Sequence, residues 1–231
     1  MNDYKRGLVA GIPIALGYLS VSFTFGIMAI KYGLTIWEAT LISMTNLTSA
    51  GQFAGVQIMI IPGLWLDMLI SQLTINVRYS FMSVALSQKL DEKFTTLWKW
   101  ILGFSITDEI FAVAIGEKKI TRSFWLGLST LPFFGWTIGT FLGAFLGNVL
   151  PENVLNALGL ALYGMFVAIV VPDMKKERPV LVVVIISAIL SILFNYVPLL
   201  SKVSVGIAIS ICAIVGAAIV AILYPVEVEE A

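Results

Sequence analysis

Residues 7–30 read GLVAGIPIALGYLSVSFTFGIMAI, an apolar run without a single charged side chain. A helix needs about 20 apolar residues to cross the hydrocarbon core of a bilayer. The run is too long for the core of a signal peptide, and no clear cleavage site follows it. It therefore predicts a retained transmembrane helix near the start of the sequence.

The rest of the composition is typical of the same class of protein. Of 231 residues, 59% are hydrophobic and 12% are charged, whereas a soluble domain is roughly a quarter charged. Further charge-free runs occupy residues 39–66, 123–151, 153–172, 179–201 and 203–226, and two more apolar segments, about 64–88 and 97–115, contain charges. The sequence predicts an all-α integral membrane protein with about 7–8 transmembrane helices.

The predicted helices follow one another through short loops, so residues 1–231 are predicted to form a single transmembrane domain. A faint internal repeat is visible as well. Pro13 lies near the start of the first predicted span and Pro132 near the start of the fifth, and a Phe- and Gly-rich helix follows each of them. Two repeats, over about 7–115 and 123–224, are therefore a hypothesis, as in transporters built from structural repeats.

The distribution of basic residues predicts the orientation. With eight spans and the N-terminus inside, eight Lys and Arg residues fall on the inner side and five on the outer side. Cytoplasmic loops carry the excess of Lys and Arg. The sequence thus predicts a multi-pass protein with a cytoplasmic N-terminus.

The sequence lacks the residues that several classes of function require. The formal net charge is +0 and there is no His, which argues against nucleic-acid binding and removes imidazole-based acid–base and metal chemistry. The one cysteine, Cys212, cannot form an intrachain disulfide. A phosphate loop and a Gly-x-Ser-x-Gly elbow are both absent. We therefore predict no enzyme, no catalytic residue, no cofactor and no metal site.

Charged residues inside two apolar segments are the first candidates for a functional site. Residues 71–86 read SQLTINVRYSFMSVAL, with Asn76 and Arg78, and the next segment carries Asp108 and Glu109. Such charges are costly at membrane depth unless they are paired or face water. Arg78 is expected to pair with Asp108 or Glu109. Three roles for these charged residues remain open: a structural salt bridge, a group that holds a substrate carboxylate, and a proton carrier.

The second predicted span is unusually polar. Residues 43–57 read SMTNLTSAGQFAGVQ, and the candidate substrate-binding residues in it are Asn46, Ser49, Gly51 and Gln52. Glycines and polar side chains at mid-depth allow an unwound backbone. A broken helix near the midplane exposes N–H and C=O groups that can hold a zwitterion, while close packing between helices is the alternative.

Residues 139–147 read GTFLGAFLG, a repeated small-xxx-small pattern. Such a pattern forms a flat helix face, which lets another backbone approach closely. It predicts a helix–helix contact, within the chain or with a partner, rather than chemistry.

Four motifs in this order resemble the AzlC family, the large subunits of branched-chain amino acid exporters. They are Gly11-Ile-Pro13 with Gly17-Tyr18 and Phe25-Gly26, Ala50-Gly51-Gln52-Phe53, Asn76-Val-Arg78-Tyr79, and Thr107-Asp108-Glu109-Ile-Phe111-Ala112. The resemblance covers roughly residues 5–175. It implies export of leucine, isoleucine and valine across a bacterial cytoplasmic (inner) membrane. It also implies a second, small AzlD-like membrane subunit, and thus a hetero-oligomer.

The residues and the resemblance together predict a secondary transporter, because no nucleotide-binding motif is present. Transport is then facilitated or driven by an ion gradient, and coupling to protons is the expectation. Arg78 is expected to face the substrate carboxylate. Asp108 or Glu109 is expected to face the ammonium group or to carry a proton. A structural or assembly subunit, a channel for another small solute and, less favoured by the short loops, a membrane enzyme acting on lipid are the alternatives.

Overall fold

A computed structural model describes residues 2–147, 151, 153, 167, 170–172 and 174–225. Apart from one isolated bridge, these residues form helices and their connections, which confirms the predicted all-α class. The helices are α1 Asp3–Lys31, α2 Ile36–Thr45, α3 Ser49–Met59, α4 Trp65–Ser87, α5 Thr96–Phe104, α6 Asp108–Ile115, α7 Arg122–Gly147, α8 Arg178–Tyr196, a short 3-10 turn Leu200–Lys202, and α9 Val205–Leu223.

The chain divides into two compact units. Unit 1 takes in Met1–Val56 and Asn76–Leu162, and unit 2 takes in Gln57–Ile75 and Tyr163–Ala231. The core of unit 1 is built around buried side chains of several helices, among them Ile14, Leu86, Ile110, Trp125 and Trp136. In unit 2, Gly206 of α9 lies close to the backbone of Asp67, and a cavity of about 660 Å³ lies between α8 and α9.

The second predicted span is broken, as the sequence indicated. Thr35 is the N-cap of α2 and forms a capping box with Glu38. The helix ends at Thr45, and its C-cap, Asn46, has an extended backbone (φ −147°, ψ 116°). The chain resumes as α3 at Ser49. Leu47, inside the break, is 6% exposed and packs into the core of unit 1, so the irregular backbone is anchored rather than loose.

The predicted apolar segment 97–115 is also broken, a feature that was not predicted from the sequence. α5 ends at Phe104 and α6 starts at Asp108. Thr107 has an extended backbone, and its Oγ1 accepts a hydrogen bond from the backbone N–H of Ile110 at 3.3 Å. It is an N-cap, and Asp108 and Glu109 in the first turn of α6 complement the positive end of the helix dipole.

Glycines bring α1 and α7 into backbone contact along their lengths. A Cβ added at Gly7 would overlap the carbonyl oxygen of Phe124, and one added at Gly143 would overlap that of Phe23. Close approach of this kind is what small residues permit between membrane helices. The packing predicted for residues 139–147 is therefore confirmed, and the partner helix belongs to the same chain.

The same contacts show that α1 and α7 run in the same direction, because low-numbered residues of one helix meet low-numbered residues of the other. Two membrane-crossing helices that run parallel are separated by an odd number of crossings. One crossing, by α4 with both broken pairs re-entrant, and three crossings, by α2–α3, by α4 and by α5–α6, both satisfy this condition.

Within the described residues, four helices are long and apolar enough to cross a membrane: α1, α7, α8 and α9. The total of seven or eight spans stays a prediction, as do the single domain and the two repeats. Most of the predicted span 153–172 lies outside the described residues. The parallel course of α1 and α7 is nevertheless what repeats related by an axis along the membrane normal require.

Candidate functional site

The two helix breaks of unit 1 face a common cavity. It has a volume of about 150 Å³ and is lined by Thr45, Asn46, Leu47, Thr48, Asn76, Tyr79, Gly103, Phe104 and Ile106. The lining thus comes from the α2–α3 break, the α5–α6 break and one face of α4. Helix ends expose main-chain N–H and C=O groups that have no partner within the helix, so the cavity wall is polar although the segments around it are apolar.

Thr48 connects two of the predicted site residues at this cavity. Its hydroxyl donates to Asn76 Oδ1 at 2.6 Å, and its backbone N–H donates to Asn46 Oδ1 at 3.0 Å. The amide oxygens of both asparagines are therefore oriented by the break itself. The structure brings Asn46 and Asn76 together, and it adds Thr48, which was not among the candidates.

Arg78 pairs with Asp108, which decides between the two acids that the sequence left open. Arg78 Nη1 lies 2.6 Å from Asp108 Oδ2, and the two side chains are 40% and 45% exposed. Arg78 Nη2 also donates to Tyr79 Oη at 3.3 Å, while Arg78 Nε is buried and has no hydrogen-bond partner among the described residues. A half-exposed pair facing hydrocarbon would be costly, so its open side must face water or protein.

Glu109 has a different partner. Tyr18 of α1 is 6% exposed, and its Oη lies 2.5 Å from Glu109 Oε2 and 2.5 Å from Thr107 Oγ1. Its ring packs edge-on against Trp136 at a centroid distance of 5.2 Å. Two consecutive acids at the start of α6 are thus held by two different helices, Asp108 by α4 and Glu109 by α1.

Gln52 lies inside a buried chain of hydrogen bonds rather than at the cavity wall. Trp136 Nε1 donates to Gln52 Oε1 at 2.8 Å, Gln52 Nε2 donates to Ser43 Oγ at 2.9 Å, and Ser43 shares a hydrogen bond of 2.7 Å with Thr140. All four side chains are at most 3% exposed. This chain fastens both halves of the broken α2–α3 segment to α7.

The remaining two candidates, Ser49 and Gly51, lie in the first turn of α3. Gly51 is buried and Ser49 is half-buried, and neither belongs to the lining of the cavity. Any role in substrate binding for these two residues, as for Gln52, stays a prediction.

Sequence reasoning missed Tyr18 and Trp136 as parts of this region, although Trp136 left a signal. Tryptophan is enriched at membrane interfaces, whereas Trp136 lies in the middle of a charge-free run. An indole N–H at that depth needs an acceptor, and the amide of Gln52 is the nearest polar candidate of the second predicted span. Tyr18 left no comparable signal beyond its place in a motif.

Replacement of Gln52 by Leu should destabilise unit 1. The change removes two buried hydrogen bonds and leaves the indole N–H of Trp136 without an acceptor, at a cost of about 2 kcal/mol or more. We expect a lower thermal unfolding midpoint for the protein purified in detergent. Gln88→Leu, at an exposed position, is the matched control, and equal midpoints for the two variants would contradict a structural role for the chain of hydrogen bonds.

Known proteins are similar to this chain over about three quarters of its length. The protein family described as "AzlC protein" matches residues 13–150. The chain is similar to an uncharacterized membrane protein of Archaeoglobus fulgidus, with 32% identity over 177 residues, which is 76% of this chain and 78% of that protein. It is also similar to the inner membrane protein YgaZ of Escherichia coli, with 26% identity over 189 residues, which is 76% of this chain and 75% of YgaZ. No solved structure matches.

Proposed function

The chain belongs to the AzlC family, as its four motifs predicted, and from this we propose that it is a secondary transporter that exports branched-chain or related apolar amino acids. Its relatives are named as membrane proteins, and that of Escherichia coli as an inner membrane protein. In the proposed function the protein lies in the cytoplasmic membrane with its N-terminus inside. It uses a proton gradient and acts together with a small AzlD-like membrane subunit.

The observation that carries the proposal is the cavity between the two helix breaks. The C-terminal ends of α2 and α5 and the N-terminal end of α3 lie at these breaks. C-terminal helix ends favour a positive group, and N-terminal ends favour a negative one. Transporters that bind zwitterions use broken helices in this way. The amide oxygens of Asn46 and Asn76 offer further acceptors for an ammonium group.

The size and lining of the cavity suit a small solute with an apolar side chain. Its volume of about 150 Å³ is well below the 300–1,000 Å³ typical of sites for drug-sized ligands. Leu47, Phe104 and Ile106 supply an apolar part of the wall. A branched aliphatic side chain gains by leaving water for such a surface, whereas a charged side chain would find no counter-ion among the lining residues.

Arg78 is the second element of the proposed site. It reaches the cavity through Tyr79, which lines the cavity and contacts the guanidinium group. Its pair with Asp108 is half-exposed, so the pair can open at a smaller cost than a fully buried one. In the proposed cycle Arg78 exchanges the carboxylate of Asp108 for that of the substrate. The alternation keeps the cation paired at every stage.

The direct test is the efflux of radiolabelled leucine from preloaded cells. The chain is expressed alone and together with its candidate AzlD-like subunit, with the small subunit alone and empty vector as the controls. We expect efflux that saturates with internal leucine, that collapses when an uncoupler removes the proton gradient, and that needs the small subunit.

Other outcomes would contradict the proposal in distinguishable ways. Efflux that does not saturate would indicate a channel. Leucine efflux that is as large with the small subunit alone as with both subunits would indicate that this chain is an assembly subunit. No leucine efflux in either setting would exclude leucine as the substrate, and export of isoleucine, valine and methionine would then be measured in the same cells.

A further inference from the structure

Asp108 and Glu109 are consecutive in sequence, yet their partners differ in a way that separates their roles. Asp108 is bound by the guanidinium group of Arg78, and Glu109 by the phenol of Tyr18. Protonation of Asp108 would discard a charge-assisted bond to a cation that cannot lose its charge. Protonation of Glu109 needs only a reversal of one hydrogen bond, because a phenol can donate or accept.

Tyr18 lies between Glu109 and Thr107, and it has one proton to share between them. Its Oη is 2.5 Å from Glu109 Oε2 and also 2.5 Å from Thr107 Oγ1. With Glu109 ionised, Tyr18 donates to the carboxylate and the hydroxyl of Thr107 donates to Tyr18. With Glu109 protonated, the acid donates to Tyr18, and Tyr18 donates to Thr107. The geometry thus accommodates both states without movement of heavy atoms.

Thr107 is the residue at which this change reaches the cavity. Its Oγ1 caps α6 through the backbone N–H of Ile110, and the residue before it, Ile106, lines the cavity. Protonation of Glu109 also removes a negative charge from the first turn of α6, where a charge of that sign is favourable. The added hydrogen bond from Tyr18 to Thr107 and the lost negative charge of Glu109 both weaken the start of α6. Both therefore act next to Ile106, at the same wall of the cavity.

The surroundings allow Glu109 to gain and lose a proton. Glu109 is exposed, whereas Tyr18 is buried and packed against Trp136. The titratable and charged groups that face this pair are Asp108 on its own helix, with Arg78 bound to it, and Tyr79 on α4. The carboxyl group of Glu109 is therefore exposed on one side, and on the other side Tyr18 connects it to the core of unit 1.

We propose that Glu109 is the site at which the coupled proton binds, and that Tyr18 is a positioning residue that transmits its protonation state to the α5–α6 break. The inference rests on the proposed function and deepens it, since it assigns proton coupling to one of two adjacent acids. Arg78 then binds the substrate carboxylate in exchange for Asp108, whereas Glu109 binds the proton and Tyr18 positions Glu109.

The proton balance of the step is simple. A proton from the side of higher proton concentration forms the O–H bond of Glu109, and the same bond breaks when the proton leaves on the other side. Tyr18 keeps its own proton throughout, and its O–H bond only rotates from Glu109 towards Thr107. The phenol therefore never becomes a phenolate.

The test separates proton binding from leucine transport. Infrared difference spectra of the purified protein in lipid, recorded across a pH titration, report the C=O band of a carboxylic acid that gains a proton. Glu109→Gln should remove one component of this band, and Tyr18→Phe should change the frequency of that component, because the acid then loses its hydrogen-bond partner. Glu92→Gln and Tyr32→Phe, at exposed positions, are the matched controls and should leave the component assigned to Glu109 unchanged.

Transport by the same variants in proteoliposomes, with the candidate small subunit present, completes the test. Leucine exchange without a gradient should survive in Glu109→Gln, while uphill transport driven by a pH gradient should be lost, because the variant cannot bind the coupled proton. A titrating band that persists in Glu109→Gln and disappears in Asp108→Asn would overturn the inference. If the wild type moves no leucine, the proposed function fails, and the infrared titration still decides whether Glu109 binds the proton.

Discussion

Arg78→Ala is expected to lower leucine export by about tenfold to a hundredfold while the protein still accumulates in the membrane. A hydrogen bond to a charged group contributes about 1.5–3 kcal/mol, and every 1.4 kcal/mol is a factor of ten. The variant removes the cation that pairs with Asp108 and contacts Tyr79 of the cavity wall. Folding should suffer less, because the pair with Asp108 is half-exposed and exposed pairs add little stability.

Asp108→Asn distinguishes the exchange of partners from a simple salt bridge. If the pair were only structural, Arg78→Ala combined with Asp108→Asn would remove both charges and restore export. We expect the double variant to remain inactive, because the substrate carboxylate has lost its cation. Efflux from preloaded cells, normalised to the amount of protein in the membrane, measures this. Arg178→Ala, at an exposed position outside unit 1, is the matched control.

Gly143→Val is expected to prevent folding. Even a Cβ at this position would overlap the backbone of Phe23 on α1, and backbone cannot rotate out of the way as a side chain can. Overpacking typically costs about 1–3 kcal/mol, and more where the obstacle is backbone that cannot move aside. A helix pair that packs along its whole length cannot separate at one point without losing neighbouring contacts. The variant should therefore be degraded or recovered as aggregate.

Gly17→Val is the control for this variant, because a Cβ at Gly17 of α1 meets no atom within 4 Å. Both variants replace a helical glycine by the same residue, so helix propensity cancels in the comparison. The measurement is the amount of protein in the membrane fraction and its elution profile in mild detergent. Similar profiles for the two variants would mean that α1 and α7 do not approach as closely as described.

The class of protein and several local features could be predicted from sequence alone. Charge-free runs that are long enough, as helices, to cross a bilayer predicted membrane helices. Hydrocarbon offers no hydrogen-bond partner to the backbone, and a helix satisfies its backbone groups internally. Glycines and polar residues from Ser43 to Gln57 predicted a broken helix, and the pattern in residues 139–147 predicted close helix packing. The need of Arg78 for a carboxylate followed from the cost of an unpaired charge at membrane depth. Each of these properties is local or compositional.

The choice of partners depended on the tertiary structure. Asp108 and Glu109 are neighbours with the same chemistry, so nothing in the sequence assigned one to Arg78 and the other to Tyr18 of a helix some ninety residues away. The bond between Trp136 and Gln52 and the parallel course of α1 and α7 are likewise long-range. The break before α6 is different, because Thr107 followed by two acids is an N-cap pattern that the apolar surroundings concealed. Hydropathy reports which segments enter the membrane, whereas the direction in which a side chain points depends on how those segments pack.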